Sequence, residues 1–180
     1  DLKKEANFVR NVELIPTNSG DPITQQSLLN ENSIILSALS AEKLQAKQGE
    51  SITLVATRNE NGQEEKALLQ LKVQAILNEQ QFPRAAIFVP MSLLIGVEDF
   101  RDGMKTELFP AASGKPNDKL RKNFARARIY AKSLDDVAPL ALKLREQFHI
   151  DTRTESKAIE NVKAIDSVLN VIFMVIAFTS

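Results

Sequence analysis

The apolar positions of the chain follow two periods. From Ser51 to Arg58 every second residue is apolar (Ile52, Leu54, Ala56), the repeat of a strand with one buried face. A further run, Lys66–Leu77, follows it. Asn61-Gly62 between the two predicts a β-hairpin, because both residues accept the positive φ of a two-residue turn. Upstream, Asn7–Pro16 carries Phe8, Val9, Val12, Leu14 and Ile15 and predicts a strand, closed by Pro16 and the turn-rich Thr17–Pro22. Ile34–Leu36 is a short apolar run, followed by a helix that starts near Ser37 or Ser40 and is stopped by Gly49. Ala85–Val89 has the unbroken apolar character of a strand buried on both faces, and Pro90 and Ser92 open a short helix ending around Gly103. Ile23–Asn30 fits neither period.

The last third predicts strand, helix, strand and a second helix. From Phe124 to Ala131 the residues alternate, with Ala125, Ala127, Ile129 and Ala131 facing one way and Phe124, Arg126, Arg128 and Tyr130 the other. Ser133, Asp135 and Asp136 are N-cap candidates for the helix that follows. A late start places Pro139 in the first turn, where its missing N–H breaks no intrahelical bond. Leu134, Val137, Ala141, Leu144 and Phe148 then form one apolar stripe. Ile150–Thr154 is a short β-branched run that completes a βαβ-like unit. Ser156 can cap a final helix whose polar face, with Lys157, Glu160, Asn161 and Lys163, ends near Asp166. From Val168 to Phe178 only Asn170 interrupts the apolar residues. That run is shorter than the ~20 residues needed to cross a hydrocarbon core, so by itself it suits a buried core helix equally. It ends with no cap, Gly or Pro, which favours the start of a transmembrane helix.

These elements predict an α+β chain in two lobes: a strand-rich lobe over residues 1–118, a βαβ lobe with a stalk helix over 119–167, and the start of a transmembrane helix over 168–180. Met104–Lys122, with Pro110, Gly114, Pro116 and several basic residues, has little apolar periodicity and predicts a loop or connection between the lobes.

Composition narrows the function. Equal counts of 23 basic and 23 acidic residues give no overall field for nucleic acid or an acidic membrane surface. Cysteine is absent, which removes disulfides, thiol catalysis and Cys-based metal sites. The six glycines form no phosphate loop and there is no GxSxG. His149 is the single histidine; a metal or catalytic role needs a second group, for which Asp151 is nearest, while a His at a helix C-terminus is the plainer account. Glu98, Asp99 and Asp102 have the chemistry of a hard-cation site or an acid/base pair, but no loop of liganding spacing surrounds them, and a helix's solvent face accounts for them. Arg121, Lys122, Arg126 and Arg128 with Phe124 and Tyr130 raise an RNA-stacking sheet, yet the glycine between aromatics that such a motif requires is missing. No residue is assigned a catalytic, metal-ligating or cofactor-binding role, and no cofactor or nucleic-acid partner is expected.

The order of signals carries a resemblance. NSIILSALSAEKLQAKQGESITLVATR, NGQEEKALLQLKVQAIL, RAAIFVPMSLLIGVEDFRDG and the strand–helix–strand leading into a hydrophobic helix together resemble the periplasmic domain of ABC transporter permeases of the macrolide-exporter and lipoprotein-release kind, including the FtsX-like permeases, over about Asn32–Ser180. The resemblance implies a mixed α/β lobe beside the inner membrane with the strand-rich lobe inserted into it, between the first two of four transmembrane helices. Asp1 would then lie partway into the domain, and, with no signal peptide visible, membrane segments outside this sequence would deliver it. It also implies a cytosolic ATPase partner, a homodimer or permease heterodimer, and a periplasmic adaptor or carrier. The domain would be non-catalytic, transmitting ATPase-driven motion through an uninterrupted helix Ser156–Phe178. A soluble α/β binding or scaffold domain, with Val168–Phe178 as core, is the alternative.

Overall fold

The computed structural model describes every residue except 27, 29, 61, 118–120, 122, 125, 155–160, 162, 163, 166, 167 and 170–180. The chain divides into two compact units, Asp1–Lys122 and Asn123–Ser180. The first is α+β. In chain order it contains β1 (Leu2–Lys4), β2 (Asn7–Val9), β3 (Glu13–Pro16), β4 (Ser33–Leu36), α1 (Ala38–Leu44), β5 (Ser51–Glu60), β6 (Gln63–Ile76), β7 (Ala86–Val89) and α2 (Met91–Arg101). The strands form one sheet in the order β2-β1-β5-β6-β4-β7-β3. β4 is parallel to β6 and β3 to β7; the other neighbours are antiparallel.

Chain connectivity bends this sheet. Its outermost strands, β2 and β3, are joined through residues 10–12 alone, and four Cα steps span at most about 15 Å. A flat sheet of seven strands at about 4.8 Å spacing would hold its edges about 29 Å apart. The sheet therefore curls. Both helices touch strands from its two ends, α1 reaching β1, β2 and β7, and α2 reaching β5 and β3.

The two-residue period explains the core. Ile34 and Leu36 of β4 and Ile87 and Val89 of β7 pack with Leu44 of α1 and with Leu93, Val97 and Phe100 of α2. The intervening Ile35, Ala86 and Phe88 join Ile15, Leu77 and Phe82 in a second cluster, against which Ile23 and Leu28 pack. Strands β4 and β7 are thus buried at every residue, as an unbroken apolar run implies. Ile23 and Leu28, from the stretch that fits neither period, lie over the second cluster.

Several expected elements change. Asn7–Pro16 is two strands, because Asn11 takes a left-handed φ of 52° and turns the chain. The opening strand β1, pairing β2 with β5, has no counterpart in the pattern of apolar residues. Helix α1 begins after Ser37, as its cap predicts, but stops at Leu44 with Gln45 left-handed, short of Gly49. The hairpin is longer than its apolar run, in continuous register from Ser51↔Lys72 to Glu60↔Gln63. Gly62 has φ 80°, while Asn61 lies outside the described residues.

The second unit contains α3 (Val137–Phe148), with Pro139 in its first turn and His149 left-handed at its C-cap. Ser133 Oγ accepts from the Asp136 N–H at 3.3 Å and donates to the Asp136 carboxylate at 2.8 Å. The strands expected at Phe124–Ala131 and Ile150–Thr154 are absent: their described residues carry no ladder, so the βαβ unit is a helix between irregular segments. Alternation marks a chain able to pair, but the strand exists only when a neighbour takes its N–H and C=O groups. Phe124, Ile129, Tyr130, Leu134, Leu142, Phe148 and Ile150 are all exposed, and α3 has no buried residue. Of the expected final helix, Asn161, Ala164, Ile165, Val168 and Leu169 are helical; the rest of it, including most of Val168–Phe178, lies outside the described residues. Among the described residues no helix is long and apolar enough to cross a membrane.

Candidate functional site

The chemistry-bearing side chains of the first unit converge on the end of α2. Asp99 faces inward and is buried, although its neighbours in sequence suggested a solvent face. Its Oδ2 accepts from Asn117 Nδ2 at 2.7 Å and its Oδ1 from Arg121 Nε at 3.0 Å. The same guanidinium bonds Asp102 and lies 3.5 Å from Glu98. Three carboxylates at the C-terminal end of a helix oppose its dipole, and Arg121 supplies the compensating charge. Donating hydrogen bonds to Asp102 and Asp99 raises the pKa of Arg121 above its ordinary value, with Asp102 the larger cause. The acidic cluster, which the sequence pattern put on a helix's solvent face, is therefore an ionic clasp that ties Asn117 and Arg121 to α2. Among the described residues no group of three or more acidic or His side chains is arranged to hold a metal ion.

A second buried charge lies nearby, and its role was not apparent from composition. Arg58 of β5 is 5% exposed. Its Nε donates to Glu65 Oε2 at 2.8 Å, one terminal nitrogen to the Phe100 carbonyl at 2.9 Å, and the other to the Ser113 carbonyl at 2.5 Å. Its guanidinium carbon sits 4.4 Å from the Phe100 ring centroid, within cation–π range. The hydrogen bond from Arg58, ahead of its charge, holds the Glu65 carboxyl below the usual glutamate range. One side chain thus joins the hairpin, the end of α2 and the segment after it.

That segment closes on itself. Lys105 N–H donates to the Lys115 carbonyl at 2.8 Å and Lys115 N–H to the Gly103 carbonyl at 2.9 Å, making residues 103–115 a compact loop with paired ends. Gly114 permits the closure, since a Cβ there would fall 2.6 Å from the Met104 carbonyl carbon. Phe109 is buried edge-on to Phe100 at 5.2 Å, and Leu108 rests against Gly96, where a Cβ would meet its side chain at 2.8 Å. The sequence marked Met104–Lys122 as a connection; its first part is a docked loop of the first unit.

The remaining candidates do not assemble. His149 caps α3, its N–H donating to the Arg145 carbonyl at 3.1 Å. Arg121 is committed to carboxylates, Lys122 lies outside the described residues, and Phe124, Arg126, Arg128 and Tyr130 share no strand. Replacing Arg121 with alanine is expected to destabilise the first unit by about 1–3 kcal/mol, the cost of a buried carboxylate keeping Asn117 but losing its charged donor. Urea titration measures it, and the double change Arg121→Ala with Asp99→Asn should recover part of the loss. No family model matches the chain, and no curated protein matches it.

Proposed function

We propose that this chain is the extracytoplasmic domain of an ABC-type permease, relaying motion driven by a cytosolic ATPase to substrate export or release, or to an external partner. What carries the reading is the C-terminal sequence, where a helix pattern with one polar face turns apolar on all sides after Asp166. The ordered resemblance across Asn32–Ser180 supports it. So do the exposed apolar residues of the second unit, with Ile165, Val168 and Leu169 between 46% and 61% exposed, a composition suited to a segment that continues into lipid or against further chain. In this reading the first unit is the strand-rich lobe, and Asn123–Ser180 belongs to the membrane-side lobe and its stalk.

These 180 residues contain no cysteine, so once any cysteine elsewhere in the full-length protein is replaced a direct test is available. A single Cys at the exposed Gln70, introduced into the full-length gene product, is expected to react with a membrane-impermeant maleimide from outside the inner membrane, while the protein stays in the membrane fraction after carbonate washing and copurifies with an ATPase subunit. Release by carbonate, or labelling only after the inner membrane is opened, would establish the soluble binding or scaffold reading instead.

A further inference from the structure

The backbone of β6 changes partners partway along. Val55 N–H donates to the Asp1 carbonyl at 2.9 Å, so Val55 turns its backbone groups towards β1 and away from β6. In an antiparallel pair this alternates. Leu54, Ala56, Arg58 and Glu60 therefore bond β6 through Leu69, Ala67, Glu65 and Gln63, leaving the N–H and C=O of Glu64, Lys66, Leu68 and Gln70 pointing off the other edge. Lys72 follows the same phase, its N–H reaching the Asn32 carbonyl at 2.9 Å where β4 takes up that edge. Ahead of β4, among the described residues, no backbone group bonds Glu64, Lys66, Leu68 or Gln70 on this side.

We infer that this open edge of β6 is a docking lane for an extended segment of a partner protein, laid end-on to β4 and joined by backbone hydrogen bonds. The lane from Glu64 to Gln70 is about 23 Å long at about 3.3 Å per residue. A cavity of about 220 Å³ lies along it, between Glu65–Leu68 and an apolar wall of Leu108, Pro110 and Ala112. It admits small apolar side chains on the inward-facing positions of an added strand. On the outward face Glu64 and Lys66 pair at 2.6 Å, and Leu68 is 66% exposed.

Charge selects the occupant. An antiparallel segment carrying a base opposite Glu64, an acid opposite Lys66 and an apolar residue opposite Leu68 matches the lane. A second copy of this edge does not. Self-pairing centred on Lys66 sets that lysine against itself. Centred on Leu68, it drives Glu64 of one copy into the place where Ser33 already pairs with Lys72. The register between them leaves Lys66 facing Leu68. The inference stands whether or not the chain is a permease domain.

Leu68→Pro provides the test. Proline there removes an outward N–H and keeps the β5–β6 ladder intact, since the Leu68 N–H takes no part in it. A displayed library of random nonapeptides is panned on the whole chain and counter-selected on Leu68→Pro, with Lys66→Pro as the second variant should the first fail to fold. Expected are peptides that bind the parent at least tenfold more tightly than a folded proline variant. In hydrogen exchange they should slow the amides of Glu64, Lys66, Leu68 and Gln70, leaving those of Glu65, Ala67 and Leu69, protected beforehand, unchanged. Failure to recover such peptides, protection at another surface, or a sedimenting dimer that Leu68→Pro abolishes would each overturn the proposal.

Discussion

Replacing Arg58 with alanine is expected to cost the first unit about 2–5 kcal/mol, with about 1–3 kcal/mol for each carbonyl that loses its charged donor, and to show as a lower urea midpoint at unchanged slope. The size follows from what the guanidinium serves. Its loss leaves the Phe100 and Ser113 carbonyls without the donor they share and empties the space over the Phe100 ring. Arg58→Lys keeps the charge but not the planar fork, so it should recover only part of the loss. Glu65→Gln should cost less, because that carboxylate is partly exposed. Its pH dependence has a definite sign. The folded carboxyl titrates below the unfolded one, so its contribution is present above the ordinary glutamate range and vanishes as pH falls through the depressed folded value. The stability gap between the parent and Glu65→Gln should close on acidification.

Ser37→Ala is the second large effect, expected at about 2–4 kcal/mol. The Ser37 hydroxyl is fully buried and makes three contacts: it accepts from the Ser40 N–H at 3.3 Å and the Ala86 N–H at 3.1 Å, and lies 3.1 Å from Ser40 Oγ. Losing the helix cap accounts for about 1 kcal/mol. Orphaning the N–H of Ala86, which is itself wholly buried, adds about 1–3 kcal/mol. Ser40→Ala is the control. It leaves both backbone donors satisfied by Ser37 and should cost less than half as much, which differential scanning calorimetry resolves.

The two substitutions also mark what can be read from the chain. The cap at Ser37 is a local signal, a Ser ahead of a helical run. The Arg58–Glu65 pair is nearly as local: Ile52, Leu54 and Ala56 put Arg58 on the inward face by period, and a two-residue turn at Asn61-Gly62 sets Glu65 opposite it. What neither pattern contains is the roof over that pair, because Phe100 and Ser113 arrive from more than forty residues away. The acidic cluster was legible as a cluster, but the burial of Asp99 depends on Arg121 and Asn117 folding back over α2. Strand β1 was missed because three residues with one buried side chain are too short for any period to register. The strands expected at Phe124–Ala131 and Ile150–Thr154 failed for the opposite reason: the alternation of the first and the β-branched run of the second are there, and a described partner is not.

The short joint between β2 and β3 bears on how the molecule assembles. Only the β5–β6 hairpin and the β1–β2 pair join neighbours in the chain. Leu2 must find Leu54, and Ile15 must find Phe88. Loop-closure entropy is lost before such distant pairings repay it. Refolding should therefore begin with the hairpin, on the order of microseconds, and finish on the millisecond-to-second scale typical of high contact order. In that sequence β3 zips onto β7 last, and the newborn chain cannot complete its wall until β7, about seventy residues after β3, has left the ribosome.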